Sequence, residues 1–184
     1  MILFINACVR KESRTLKLTK CLLSKLNDEV EEVKLTDINF PKVDESFLNL
    51  RDSLISKGLL SDPLFDLANQ FSKADTIVIS APFYDLSFPA LLKQYFEQIN
   101  VINITFKYSK EGIPLSLCKA KKLYYITTAG GFIPSIEYSY GYVKALANTF
   151  YGINNTQLIK AEGLDIEGAD VDKILEEAQS KINI

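Results

Sequence analysis

Six consecutive residues, Thr76-Ile77-Val78-Ile79-Ser80-Ala81, are apolar or β-favouring and run into a proline. A run of that length is too short for a helix and suits a buried strand. Pro82 has no N–H to donate, which predicts the end of the hydrogen-bonded ladder. Beyond it, Phe83-Tyr84-Asp85-Leu86-Ser87 places two aromatic rings and a carboxylate in a loop. Phe88 and Pro89 then open a helix, with Ser87 as its N-cap and Pro89 in its first turn. In an open α/β sheet, ligands occupy the crevice at the carboxyl ends of the strands. An aromatic loop in that place suits a flat, stacked ligand.

The same unit recurs along the chain. Met1 to Ala7 is apolar on both faces, as a central parallel strand requires. The polar loop Cys8 to Thr15 follows, then a helix with Leu18, Leu22 and Leu26 on one face. Val30 to Leu35 reads as an edge strand, and residues 36 to 46 as a loop. Phe47 to Phe71 carries apolar residues at near-helical spacing, broken at Gly58 and Asp62-Pro63, and predicts two helical pieces. Asn103 to Lys119 is an excursion whose regular structure Pro114 ends. Lys121 to Thr128 is a fourth strand, Ala129 to Phe132 a tight turn, and Tyr138 to Tyr151 a helix ending near Gly152. Thr156 to Ala161 is a fifth strand and Asp170 to Ile182 a terminal amphipathic helix. Five strands alternating with helices predict a three-layer α/β/α sandwich around a parallel sheet. One domain over residues 1–184 is the expectation for this length.

With strand order 2-1-3-4-5, the carboxyl ends of strands 1, 3 and 4 are neighbours. Their loops, CVRKESRT, PFYDLS and TTAGGF, are the three unusual ones. Arg10, Ser13, Arg14 and Thr15 precede the first helix, where hydroxyls, free N–H groups and the helix dipole suit a phosphate. The bland reading of that loop is a Ser13 N-cap with solvated charges. Gly130 and Gly131 let a backbone approach a flat ring, since no Cβ intervenes.

Several chemistries are excluded. The chain has no histidine, which removes Ser-His-Asp and Cys-His pairs and HExxH zinc sites. A net charge of −2 gives no electrostatic case for nucleic acid. No segment approaches the ~18 apolar residues of a membrane span. Met1 to Ile5 lacks a basic flank and reads as a strand rather than a signal peptide. Cys8, Cys21 and Cys118 are an odd number with no C-x-x-C pair, which predicts a reduced, cytoplasmic protein.

Ala81-Pro82-Phe83-Tyr84, then Leu91, Lys93, Tyr95 and Phe96, resembles the flavodoxin-like NAD(P)H-dependent FMN oxidoreductases. The resemblance is greatest to the FMN-dependent NADH-azoreductases, which read A-P-M-Y-N-F and L-K-x-Y-F-D here. Phe83, Asp85 and Leu86 depart from that pattern. Thr128, Gly130 and Gly131 match the family's T-S-R-G-G and Ala129 does not. Thr105-Phe106-Lys107-Tyr108 resembles V-T-F-R-Y. Thr149 to Ile153 and Ala161-Glu162-Gly163 are similar to F-L-G-F-x-G-I and F-A-E-G-I. The order of blocks spans nearly the whole chain, with residues 36 to 73 least informative.

The resemblance implies FMN as cofactor and NADH or NADPH as donor. Electrons would pass by a ping-pong route to a quinone, an azo compound or a nitroaromatic. It places Arg10, Ser13, Arg14 and Thr15 at the FMN phosphate and Pro82, Phe83, Tyr84, Asp85 and Leu86 along the isoalloxazine. Thr128, Ala129, Gly130, Gly131 and Phe132 fall at its pyrimidine edge. Phe106 falls on the substrate side, across a dimer interface. The flavin carries the chemistry, so no catalytic side chain and no metal is needed. The apolar surplus between Phe83 and Phe106 fits a homodimer, or alternatively a thick local core.

Three rivals remain. Cys8 to Arg14 fits C-x5-R after a first strand, which resembles the phosphate loop of low-molecular-weight tyrosine phosphatases and arsenate reductases, with Asp62-Pro63 as an Asp-Pro acid. Against it, the loop lacks glycine or asparagine, Glu12 repels a dianion, and Asp62-Pro63 lies between the second and third strands. A flavodoxin-type FMN electron carrier without enzymatic activity is the second, although its T-G-x-T loop is missing. A family member that keeps fold and dimer but not flavin is the third, favoured by Glu12 and Asp85.

Overall fold

A computed structural model describes residues 1–182 and 184. Strands β1 (Ile2–Asn6), β2 (Val30–Lys34), β3 (Thr76–Ser80), β6 (Lys122–Thr128) and β7 (Asn155–Ala161) form one sheet in the order β2-β1-β3-β6-β7. Every neighbouring pair is parallel. Counting only these five strands, the order is the expected 2-1-3-4-5. A short antiparallel hairpin, β4 (Phe106–Tyr108) and β5 (Pro114–Ser116), stands apart from it. The helices are α1 (Arg14–Leu26), α2 (Glu45–Ser56), α3 (Asp66–Lys73), α4 (Ala90–Ile99), α5 (Tyr142–Thr149) and α6 (Val171–Ser180).

The sheet divides its side chains by the period of two that a strand imposes. Leu3, Ile5, Ile77, Ile79, Leu123 and Tyr125 join the core that also takes Phe71, Leu92, Phe96 and Val143, from α3, α4 and α5. Ile2, Phe4, Val78, Tyr124 and Ile126 face the other way, onto Leu18, Leu22, Leu175 and Ala178 of α1 and α6. Burying each large apolar side chain contributes about 1.5–3 kcal/mol, so both helical layers are held by the sheet. In β2 only Val33 is buried, consistent with its place at the edge.

Local outcomes differ from the sequence reading at four places. Ser87 is not the N-cap of α4; Pro89 takes that position without a side-chain bond, and Ser87 Oγ donates to Tyr138 O at 2.7 Å. Pro114 does not end regular structure but begins β5, because an edge position needs no N–H from it. The fifth helix starts as a π-helical turn, Glu137–Gly141, and Gly152 follows its end at φ +64°. The ladder also outlasts Pro82, since Phe83 N donates to Thr128 O at 3.0 Å. Alternate residues of β3 serve opposite neighbours, Ser80 O accepting from Ala7 and Ala81 N donating to Ile126. The N–H that Pro82 lacks would therefore face β1, which has already turned away, so the proline costs no bond and leaves the crevice open.

Most of the apolar surplus between Phe83 and Phe106 is core. Leu92, Tyr95, Phe96, Ile99, Val101, Ile104 and Phe106 are buried, while Tyr84, Leu86 and Ile102 remain exposed.

Candidate functional site

The register aligns Asn6 with Ser80 and Ser80 with Ile126, so the chain leaves β1, β3 and β6 at one rim. There a cleft of about 220 Å³ is lined by Arg10, Glu12, Ser13, Arg14 and Thr15 from the first loop, and by Pro82, Phe83 and Tyr84 from the second. Thr128, Ala129 and Gly130 come from the third, with Leu164 and Asp165 from a fourth loop after β7. Ser13, Tyr84 and Gly130 thus border one space.

The first wall is the start of α1. Ser13 is its N-cap, its Oγ accepting from Leu16 N at 3.2 Å and its carbonyl from Lys17 N at 3.0 Å. Those two bonds leave the earlier N–H groups of Arg14 and Thr15 without intrahelical acceptors, as at any helix start. Thr15 is only 1% exposed, and its Oγ1 lies 2.6 Å from Thr128 Oγ1. That hydroxyl therefore clamps the first wall to the third, while its N–H remains for an anion. Arg14 Nη1 pairs with Asp165 Oδ1 at 2.6 Å.

The second wall is a tight turn. Tyr84 and Ser87 exchange both backbone bonds, at 3.2 and 2.7 Å, around Asp85 (φ +49°) and Leu86 (φ +66°). Two successive left-handed residues make a hairpin-type turn that favours Asn-Gly. For Asp and Leu the conformation costs about 1–2 kcal/mol per residue. Asp85 and Leu86 sit exposed at its tip and do not line the cleft.

The third wall is held from behind. Gly163 N donates to Gly131 O, Leu164 N to Ala129 O and Asp165 N to Gly130 O, at 2.9, 3.2 and 2.8 Å. Glu162 Oε2 accepts from Ile133 N at 2.9 Å and its Oε1 from Lys160 Nζ at 2.8 Å. Burial raises the Glu162 pKa, and these two partners more than reverse that, leaving it below its ordinary value. Gly131 and Phe132 lie beyond the lining residues, with Phe132 75% exposed.

Phe106 does not reach the cleft of its own chain. It is buried, its ring 4.8 Å from Phe150 and 5.5 Å from Tyr108. Glu12, Leu164 and Asp165 are the lining residues that the sequence reading left out. The signal for the last two was present in the topology: they follow β7, the strand beside β6.

The phosphatase reading fails on geometry. Cys8 is buried, its Sγ 3.2 Å from Ser80 Oγ, and burial raises its pKa instead of making a thiolate. Asp62 caps the Pro63–Phe65 turn through Leu64 N and lies outside the cleft.

The donor set fits a phosphorylated flavin. Helix N–H groups, the Ser13 hydroxyl and two arginines form the anion end. Phe83 and Tyr84 line the same cleft as Ala129 and Gly130. A Cβ on Gly130 would overlap Asp165 Oδ2, so that part of the wall is closely filled.

Comparison with known proteins gives the family and the fold. The family described as having the flavodoxin-like fold matches residues 1–183. The chain is 35% identical to a Clostridium beijerinckii protein named FMN-dependent NADH:quinone oxidoreductase, over 98% of this chain and 94% of that protein. It is 32% identical to a protein of the same name from Lachnoclostridium phytofermentans, covering 100% and 96%. The FMN-dependent NADH-azoreductase from Bacillus anthracis str. Ames Ancestor, solved in complex with FMN, superimposes with a TM-score of 0.81 at 26% identity, covering 98% and 94%.

Proposed function

The chain belongs to the family of flavodoxin-like fold, and from that premise we propose that it is an FMN-dependent NADH oxidoreductase that reduces quinones or azo compounds. The observation that carries the reading is the convergence of an anion-binding helix start, an aromatic turn and a glycine turn on one cleft. FMN held there would supply two-electron chemistry, taking hydride from the nicotinamide and returning two electrons and one proton to the acceptor, the second proton coming from solvent.

The residues' own part is to bind and orient. Arg10, Arg14, Ser13 and the N–H groups of Arg14 and Thr15 hold the phosphate. Pro82, Phe83 and Tyr84 flank the ring system, and the backbone of Thr128, Ala129 and Gly130 borders its pyrimidine edge. Donors on that edge favour the negative charge that accumulates on reduction. No side chain in the cleft need move a proton, in keeping with a chain that has no histidine.

The whole chain would act as one unit, as a homodimer, in a reducing compartment. Support for the dimer comes from the hairpin, where Tyr108, Ile113, Leu115 and Leu117 are exposed on one short element. Support for the compartment comes from three unpaired thiols. Among the described residues no helix is long and apolar enough to cross a membrane.

Protein stripped of small molecules and titrated with FMN should turn yellow with quenched flavin fluorescence. It should then oxidise NADH beyond one equivalent per FMN only when a quinone or azo dye is added, and sediment at twice its monomer mass. Protein that never takes up FMN would end this reading. FMN uptake without NADH oxidation would leave the electron carrier in its place.

A further inference from the structure

We infer that Asp165 sets how strongly the cleft selects a phosphorylated flavin, because its carboxylate holds the cation that the phosphate needs. The inference rests on the FMN reading above. Asp165 is fixed in the cleft by its backbone, N–H to Gly130 O, and its side chain lies across Gly130 to reach Arg14. The carboxylate itself is 67% exposed and the Arg14 side chain 41%, so the pair can open towards solvent without disturbing the core.

Charge gives the pair its consequence. The cleft lining carries two cations, Arg10 and Arg14, and two anions, Glu12 and Asp165. Lys160, at the end of the neighbouring strand, is already paired with Glu162. A phosphate dianion thus enters a cleft with no net positive charge. To engage Arg14 it exchanges one charge-assisted hydrogen bond for another and leaves a like charge beside it. Riboflavin has no phosphate and leaves the pair alone. Asp165 therefore lowers affinity for FMN specifically, narrowing the gap between the two flavins. It is a specificity residue acting through Arg14.

The test titrates apo protein with FMN and with riboflavin, read by quenching of flavin fluorescence. Asp165→Asn should bind FMN roughly three- to fivefold tighter, the scale of one charge-assisted contact near a surface, with riboflavin affinity unchanged within about 1.5-fold. Its FMN affinity should also fall more steeply with salt, since the lining is now net positive. Asp172→Asn makes the same change in total charge on a residue paired with Lys17 outside the cleft, and should alter neither affinity. In an Arg14→Gln background the Asp165→Asn gain should disappear.

An FMN affinity that is unchanged or weaker in Asp165→Asn, or a gain shared equally by riboflavin, overturns the inference and leaves the cofactor assignment intact. Wild-type protein that quenches neither flavin overturns both.

Discussion

Replacing Gly130 with valine should lower FMN affinity about five- to hundredfold, with only a modest loss of folding stability. The three atoms nearest a Cβ at this position all belong to Asp165. Its Oδ2 overlaps the new atom but can turn away with the exposed carboxylate, whereas its Cγ and Cβ, at 3.0 and 3.2 Å, require the loop to give by a few tenths of an ångström. The fold therefore tolerates the new atoms at a modest cost. The cleft does not, because three carbons then occupy one wall of a space of about 220 Å³ where the ligand must fit closely. Overpacking of this kind costs about 1–3 kcal/mol, most of it borne here by the bound state. Gly131→Ala is the internal comparison: a Cβ there meets nothing within 4 Å, and Gly131 does not line the cleft. It should bind FMN within a few-fold of wild type. Fluorescence titration and urea denaturation of both variants check this. Valine at 130 with near-normal FMN affinity would mean that the flavin does not approach this turn.

The contrast between the two glycines shows how far the chain's residues speak for themselves. The sheet was legible because each strand carries its own signal: β1 and β3 are apolar on both faces, and VEEVK in β2 is an edge strand by composition. Parallel strands linked by helices then bring the loops after β1, β3 and β6 to one rim whatever those loops contain. What the residues did not disclose was the part each loop member plays. Thr15 looked like a phosphate hydroxyl, yet its Oγ1 is taken by Thr128, 113 positions away. The resemblance places Asp85 along the ring system with only its backbone facing it, yet Asp85, at positive φ, stands at the tip of the turn and does not line the cleft at all. Asp165 carried no local signal, because its meaning lies in a pairing with Arg14 across 151 positions. Short-range pattern reports the backbone's path, whereas side-chain partners separated by most of the chain are set by the packing of finished elements.

Stability should fall steeply in mild alkali, well before any backbone chemistry intervenes. Cys118 is buried between the hairpin and β6, its Sγ donating to Thr105 O at 3.3 Å. Burial pushes this thiol up to about 12 from an ordinary value of 9.0. Tyr95 and Tyr151, raised by burial, lie near enough that each anion would raise the others further. Because the folded-state pKa is the higher one, the stabilisation is complete below about pH 9. It is lost progressively towards pH 12, as the unfolded chain ionises first. Cys118 alone accounts for about 1.4 kcal/mol by pH 10 and about 3 kcal/mol by pH 11, against a typical total of ~5–15 kcal/mol. The phenols add to the loss above pH 10. Urea midpoints measured at pH 7, 9, 10 and 10.5 should therefore decline with a rising slope. Cys118→Ala forfeits packing and a hydrogen bond, so it should be less stable than wild type at pH 7. It should nonetheless lose less between pH 9 and 10, bringing the two curves together. A wild-type midpoint that stays level to pH 10, or a Cys118→Ala curve parallel to it, would show that the thiol is not held in its neutral form by the fold.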